Sequence, residues 1–308
     1  GSSPVAVICL TALDESVCGD LPHVPAGFRD ALRLVQALGD AQIQAPLWLM
    51  TQGAVSTGAS ELLRQPIQSL IWGLGRALGL ERIDGTTKLL DLPETIDTGA
   101  WSAVMNALDS NDHEDQMAIR GSARWVRRLV RVQPEEQSSW QPRGTVLITG
   151  GTGALGQAAA RWFAHKGAEH IILTSRRGMS APGAEAIVNE LSSDDVKVTV
   201  VSLDVADGAQ VAGMVKSIQS QGESLRVVVH AAGVMENAAY GELEDTALTK
   251  SFGAKVSGAW HLHEHTQDLE LDAFVLYGSI AGLWGSGGQS PYSAANAALT
   301  GLAQHRMG

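Results

Sequence analysis

Uninterrupted apolar runs punctuate the second half of the chain: TVLIT (145–149), HIILTS (170–175), VKVTVVSLD (196–204), LRVVVHAAG (225–233) and DAFVLYGS (272–279). Between them, apolar positions recur at helical spacing over 154–166, 182–191, 208–221, 241–265 and 291–305. Strands that are apolar on both faces, alternating with amphipathic helices, predict a parallel sheet covered by helices on each side. The expected class is α/β with a doubly wound parallel sheet.

The first half has the same grammar with weaker signals. VAVICL (5–10) and PLWLMTQ (46–52) read as buried strands, and AGFRDALRLVQALGDA (26–41) and PIQSLIWGLGRALGLE (66–81) as helices. DQMAIRGSARWVRRLVRV (115–132) alternates like a hairpin turning at Gly121-Ser122. The polar segment QPEEQSSWQPRG (133–144) reads as a linker, which predicts a division into residues 1–138 and 139–308. One internal echo pairs PLWLMTQGAVS and QSLIWGLGRALGL with AFVLYGSIAGL and SAANAALTGLAQH. A degenerate duplicate serving as structural support and a chance likeness between two α/β halves both account for it.

Charge and cysteine content narrow the partners. Lys plus Arg total 22 against 33 Asp plus Glu, a net charge of −11, which argues against a nucleic-acid partner. Two cysteines, Cys9 and Cys18, are too few for a disulfide scaffold or a metal cluster, so a reduced cytoplasmic setting and no metal are expected. No apolar run approaches the roughly 18 residues of a membrane helix, so no membrane partner is expected.

The strongest local signal is TVLITGGTGALGQAAARWFAHKG, an apolar strand running through a glycine-rich turn into an amphipathic helix. Gly150, Gly153 and Gly156 permit a tight turn, close approach to a pyrophosphate and close helix–strand packing. Thr149, Gly151, Thr152 and Leu155 complete the turn, and the helix start offers backbone N–H groups to an anion. About 20 residues on, where an NAD site carries an acid, the chain has Ser175, Arg176 and Arg177. A hydroxyl and two guanidiniums suit the 2′-phosphate of NADPH; a solvated basic turn is the competing reading. Asp204 and Val205 end the third strand where an adenine edge would lie. Ala231, Ala232 and Gly233 supply small residues where a cofactor passes backbone.

Taken together, ITGGTGALG, HAAGV, AKVSGAWHLHE and GSIAGLWGSGGQSPYSAANAALTGLA resemble the short-chain dehydrogenase/reductase superfamily, and within it the ketoreductase domains of modular polyketide synthases. The likeness covers about residues 144 to 305, and residues 4 to 132 are similar to the family's N-terminal structural subdomain, a degenerate Rossmann-like fold that binds no cofactor. It implies a Rossmann-like catalytic subdomain and a catalytic quartet. Tyr292 matches the tyrosine that protonates the substrate carbonyl oxygen, and Ser279, thirteen residues earlier, the serine that hydrogen-bonds it. Lys255 matches the lysine, and Asn296 the asparagine standing where most of the superfamily has lysine. The chemistry agrees: a free phenol ionises near pH ~10, and a neighbouring ammonium favours its phenolate. Positions 292 and 296 share a helical face, from which Asn296 can bridge lysine and water in a proton relay.

The resemblance further implies an NADPH-dependent reduction of a β-ketoacyl chain carried as a thioester on an acyl carrier protein, alongside other domains of one synthase. Trp284, eight residues before Tyr292, is the A-type mark, and position 289 is glutamine where A-type members that select an epimerised α-carbon tend to have histidine. Met235, Glu236 and Asn237 stand where B-type members carry Leu-Asp-Asp. The pattern resembles an A1-type enzyme and implies an L-configured β-hydroxyl, with plain groove packing the other reading of Trp284. Gly278 departs from the family's frequent second serine. Family domains continue beyond the YxxxN helix into a further strand, a substrate lid and a last strand, whereas this sequence ends at AQHRMG and is expected to lack that strand and lid. The 308-residue polypeptide is therefore expected to bind NADPH poorly and reduce little. Two other functions stay open: a non-reducing structural or epimerising synthase domain, which the complete quartet disfavours, and a free-standing alcohol dehydrogenase, which Asn296 disfavours.

Overall fold

A computed structural model describes residues 4–19, 21–58, 61–82, 86–133, 140–192, 196–235 and 237–307. Glu236 and residues 134–139 of the expected linker lie outside them. The first segment runs β1 (Val7–Cys9), β2 (Val17–Cys18), β3 (Leu21–Pro25), α1 (Ala26–Asp40), β4 (Leu47–Gln52), α2 (Ser69–Glu81), β5 (Thr87–Leu92), α3 (Thr98–Asp109), β6 (Gln116–Arg120) and β7 (Ala123–Val126). The second runs β8 (Thr145–Thr149), α4 (Ala154–His165), β9 (His170–Ser175), α5 (Ala184–Leu191), β10 (Lys197–Ser202), α6 (Gly208–Ser220) and β11 (Leu225–His230). It continues through α7 (Asp245–Phe252), a π-helical turn (Gly253–Ser257), α8 (Gly258–Thr266), β12 (Ala273–Leu276), α9 (Ala281–Trp284) and α10 (Ser290–Met307).

By packing, the chain forms two compact units that interleave in sequence: residues 1–132, 235–252 and 278–308 make one, and 133–234 with 253–277 the other.

In the second unit the sheet order is β10-β9-β8-β11-β12, every pair parallel. Successive residues of one strand feed opposite cores, as parallel strands buried on both faces require. Val146 and Ile148 pack with Ala159, Ala160 and Phe163 of α4 and Ile187 of α5. Leu147, between them, packs with Val211, Val215 and Ile218 of α6 and Leu262 of α8. Each such aliphatic side chain contributes about 1.5–3 kcal/mol when fully buried. The strand order reverses between β8 and β11, and such a switch point is where open α/β sheets bind ligands, at the carboxyl ends of the strands.

The first unit has its own sheet, β1-β4-β5-β6-β7, parallel except for the β6–β7 hairpin at Gly121-Ser122. Trp48, Met50, Leu90 and Ile119 pack against Ala100, Val104 and Ala107 of α3. At the carboxyl ends of its strands, Asp91 is fully buried and accepts from Thr51 Oγ1 (2.6 Å), Ala54 N (2.9 Å) and Arg120 Nη2 (2.8 Å). Arg120 also pairs with Glu61. An internal ion network thus ties together the carboxyl ends of β4, β5 and β6. Helices α2 and α10, the two helices of the sequence echo, pack directly on each other in this unit. A Cβ on Gly73 of α2 would lie 2.3 Å from the Ser293 carbonyl oxygen of α10.

Several expectations change. The helix expected over 241–265 is broken into α7, the π-turn and α8. Gly258 at the second junction approaches so closely that a Cβ would meet Val205 Cγ1 at 2.8 Å. The strand expected to reach 233 stops at His230, since the turn after it must pass the Gly150 backbone. Helix α5 starts at Ala184 rather than 182, because Gly183 takes a left-handed conformation after Pro182. The strand of RWVRRLVRV ends at Val126. Strands β2, β3 and β5 and helix α3 were not anticipated from the sequence pattern.

Candidate active site

The glycine-rich loop is a local consequence of β8. That strand is buried throughout, and its last residue leads into Gly150 at φ +66°. A Cβ on Gly150 would sit 2.8 Å from the Ala232 backbone, so only glycine allows the loop to lie against Ala231-Ala232. A Cβ on Gly156 would meet the Gly150 carbonyl oxygen at 2.3 Å, which forces α4 close to the turn. Gly151 N donates to the Thr174 carbonyl (3.0 Å) and Gly153 N to that of Gly150 (2.9 Å). Helices α3 and α6 begin with aspartates, Asp97 and Asp207, that accept from first-turn N–H groups. Helix α4 begins at Gly153 with no side-chain cap, and Leu155 beside it is exposed. An uncapped helix start of this kind suits an anionic ligand.

Thr152, Ser175, Arg176 and Arg177 line one depression at the ends of β8 and β9. The Ser175 hydroxyl is buried and has no hydrogen-bond partner among the described residues. The glycine cradle, the orphaned hydroxyl and the two guanidiniums fit a phosphorylated dinucleotide. Asp204 closes β10's turn, accepting from Ala206 N at 3.1 Å. Val205 is buried, and its carbonyl oxygen lies 3.2 Å from His261 Nδ1.

Lys255 lies in the π-turn of this same unit and is 7 % exposed. Single-turn π-bulges are frequent at functional positions. Its Nζ donates to the Tyr277 carbonyl oxygen at 3.0 Å, and its stem runs beside Gly233, where a Cβ would be 3.6 Å from Nζ. Burial lowers its ammonium to a pKa of about 8. Beneath it, His230 is fully buried, with Nε2 3.1 Å from the Lys255 carbonyl and Nδ1 2.7 Å from Thr149 Oγ1. A carbonyl only accepts, so Nε2 carries the proton and the threonine hydroxyl donates to Nδ1. Burial pushes the His230 pKa down to about 4.

The other three members of the expected quartet belong to the first unit. Ser279 follows β12, and its hydroxyl accepts from Ala281 N at 3.2 Å, the start of α9. Tyr292 is half-buried in the first turn of α10, just after Pro291. Asn296 is buried one turn on and donates from Nδ2 to the Tyr292 carbonyl at 2.7 Å. Its Oδ1 is buried with no partner among the described residues, available to accept a proton donor. Gln289 donates to Asn237 Oδ1 (2.8 Å) and to Met235 Sδ (3.7 Å), joining two of the expected stereocontrol segments. Trp284, at the end of α9, is 58 % exposed. Sequence reasoning passed over His230 and Glu81. A histidine ending an otherwise apolar strand was the available signal for the first; nothing local marked the second.

The KR domain family matches residues 144–308, and the Rossmann fold domain of polyketide synthase extender module SpnB matches residues 2–129. The chain is 46 % identical over 303 residues to polyketide synthase GfsA of Streptomyces halstedii, covering 97 % of this chain and 4 % of that one. It is 46 % identical over 275 residues to pikromycin polyketide synthase component PikAIII of Streptomyces venezuelae, covering 88 % and 18 %. The chain thus spans less than a fifth of these curated relatives. A solved A1-type ketoreductase aligns with TM-score 0.94 at 44 % identity, over 99 % of this chain and 65 % of that one. The chain belongs to the ketoreductase domain family of modular polyketide synthases, nicotinamide-dependent reductases of the short-chain dehydrogenase/reductase type.

Proposed function

We propose that this chain reduces the β-keto group of a polyketide intermediate, held as a thioester on the phosphopantetheine arm of an acyl carrier protein, to an L-configured β-hydroxyl with NADPH. Residues 139–308 carry the chemistry and residues 1–138 are structural, within a cytoplasmic synthase. When bound, NADPH supplies hydride to the carbonyl carbon. Tyr292 gives its proton to the carbonyl oxygen, Ser279 donates a hydrogen bond to that oxygen, and Lys255 with Asn296 restores the proton. Thr149 to Gly156 and Ala231 to Gly233 cradle the cofactor, with Asp204 and Val205 at its adenine. Ser175, Arg176 and Arg177 take its 2′-phosphate. Trp284, Gln289 and the Met235–Asn237 segment orient the acyl chain.

The observation that carries this reading is Lys255: a structural lysine extends its ammonium to water, whereas this one is held buried beside the Ala231–Gly233 turn. Glycine, hydroxyl and guanidinium groups converging at Thr152–Arg177 support NADPH over NADH.

The test mixes the intact synthase polypeptide carrying this chain with NADPH and a β-ketoacyl-pantetheine thioester, follows cofactor oxidation and separates the products on a chiral column. Wild type is expected to oxidise NADPH and form the L-hydroxyl. Tyr292→Phe should lose at least about 100-fold in rate, the scale of general acid catalysis. No oxidation by wild type, or equal oxidation by Tyr292→Phe, overturns the reading; a D-hydroxyl overturns the stereochemical part alone.

A further inference from the structure

Glu81 ends helix α2, where a carboxylate opposes the helix dipole. It is held there by three donors from two distant segments of the same unit. Its Oε1 accepts from Gly288 N (3.1 Å) and Ser290 Oγ (2.7 Å), and its Oε2 from Tyr240 N (2.9 Å). Charge-assisted bonds of this kind are the stronger class. The residues they tie down bracket one contact. Gln289 lies between Gly288 and Ser290, pairs as an isolated β-bridge with Ala238, and donates to Asn237 Oδ1 at 2.8 Å. Gly288 has φ +72°, a conformation that lets the turn present its N–H to the carboxylate. Gln36 reinforces the other side, donating from Nε2 to the carbonyls of Tyr240 and Leu243, both at 2.9 Å.

We propose that Glu81 is a positioning residue for substrate selection: from the N-terminal helix α2 it fixes the Gln289–Asn237 contact, and so decides which stereoisomer of the β-ketoacyl chain is presented and formed. This rests on the functional reading above, which gives Gln289 and Asn237 their place beside the acyl chain. One carboxylate closes a ring through Tyr240, Asn237, Gln289 and Ser290, so removing it releases both segments together. Tyr292 begins two residues beyond the anchored Ser290.

The test compares wild type, Glu81→Gln and Glu81→Ala in the intact polypeptide. Glutamine keeps the volume but retains one acceptor oxygen, so it cannot satisfy Gly288, Ser290 and Tyr240 at once. Glu81→Ala is expected to show faster amide hydrogen exchange at both Gly288 and Tyr240 and Glu81→Gln at one of them at least, each with an erosion of the product stereoisomer ratio by about tenfold and a raised KM for the thioester. Affinity for NADPH should stay unchanged. If Glu81→Ala does not fold, Glu81→Gln carries the comparison. An unchanged isomer ratio and KM in Glu81→Gln, while wild type turns over, overturns this inference and leaves the functional reading standing. Unchanged exchange at both amides overturns it without reference to activity. Failure of wild type itself to oxidise NADPH overturns the functional reading, and the selection role with it.

Discussion

His230 and Lys255 are joined by a hydrogen bond from the imidazole Nε2 to the lysine carbonyl oxygen, 3.1 Å long, while Thr149 satisfies the other ring nitrogen. The end of β8 is thereby coupled to the π-turn that carries the lysine. A neutral, correctly tautomerised imidazole is required.

Stability should therefore depend on acid in a defined window. The folded pKa of His230 is pushed down to about 4 by burial, against about 6.5 when unfolded. Between these values the unfolded chain binds a proton that the native one refuses. Stability is fully present above pH ~6.5 and falls as pH drops toward 4, by up to about 3 kcal/mol from this group. Urea titrations across that range should reveal the slope, and His230→Gln should flatten it. An equal slope in the variant counts against the assignment.

Lys255 makes the opposite kind of prediction for activity. Its ammonium is lost as pH rises through about 8, far below an ordinary lysine. Reduction should decline on that alkaline limb, read as kcat/KM against pH. Native lysine sheds its proton before the unfolded one does, so stability rises with pH between about 8 and about 10.4 while activity falls. Lys255→Met should remove the limb and lower the rate overall. Parallel loss of activity and stability above pH ~8 would contradict this.

The depression of Thr152, Ser175, Arg176 and Arg177 predicts the cofactor preference. Arg176→Ala with Arg177→Ala should weaken NADPH by about 10-fold or more, the loss expected for charge-assisted bonds of ~1.5–3 kcal/mol, and leave NADH nearly unaffected. Ser175→Asp should shift preference toward NADH. Fluorescence titration of both nucleotides measures each constant, and parallel losses for the two would oppose a 2′-phosphate role.

Gly150→Ala tests the cradle sterically. The added methyl would lie 2.8 Å from Ala232 backbone atoms at φ +66°. A destabilisation of about 1–3 kcal/mol is expected from overpacking and strain, with a larger fall in cofactor affinity because the turn must open. Calorimetric Tm together with nucleotide binding measures both effects.

The strand–turn–helix of TVLITGGTGALG was readable from the chain, since each step is local: apolar side chains make a buried strand, and glycines turn it. The same locality made the five strands of the second unit, and the shared face of Tyr292 and Asn296, legible from spacing alone. Trp284 and Gln289 could be singled out only through likeness to a family. Helix 241–265 misled, because its periodicity is continuous while close packing at Gly258 breaks it around Lys255. Glu81, Asp91 and His230 carried no local mark. Glu81 meets donors 159, 207 and 209 positions away. Asp91 meets Arg120 from a neighbouring strand, and His230 meets a carbonyl in a turn whose existence the pattern hides. Spacing encodes which face a side chain takes along one element. A buried polar group's partners are set by which elements pack together, since desolvation makes it costly for the group to stay unpaired.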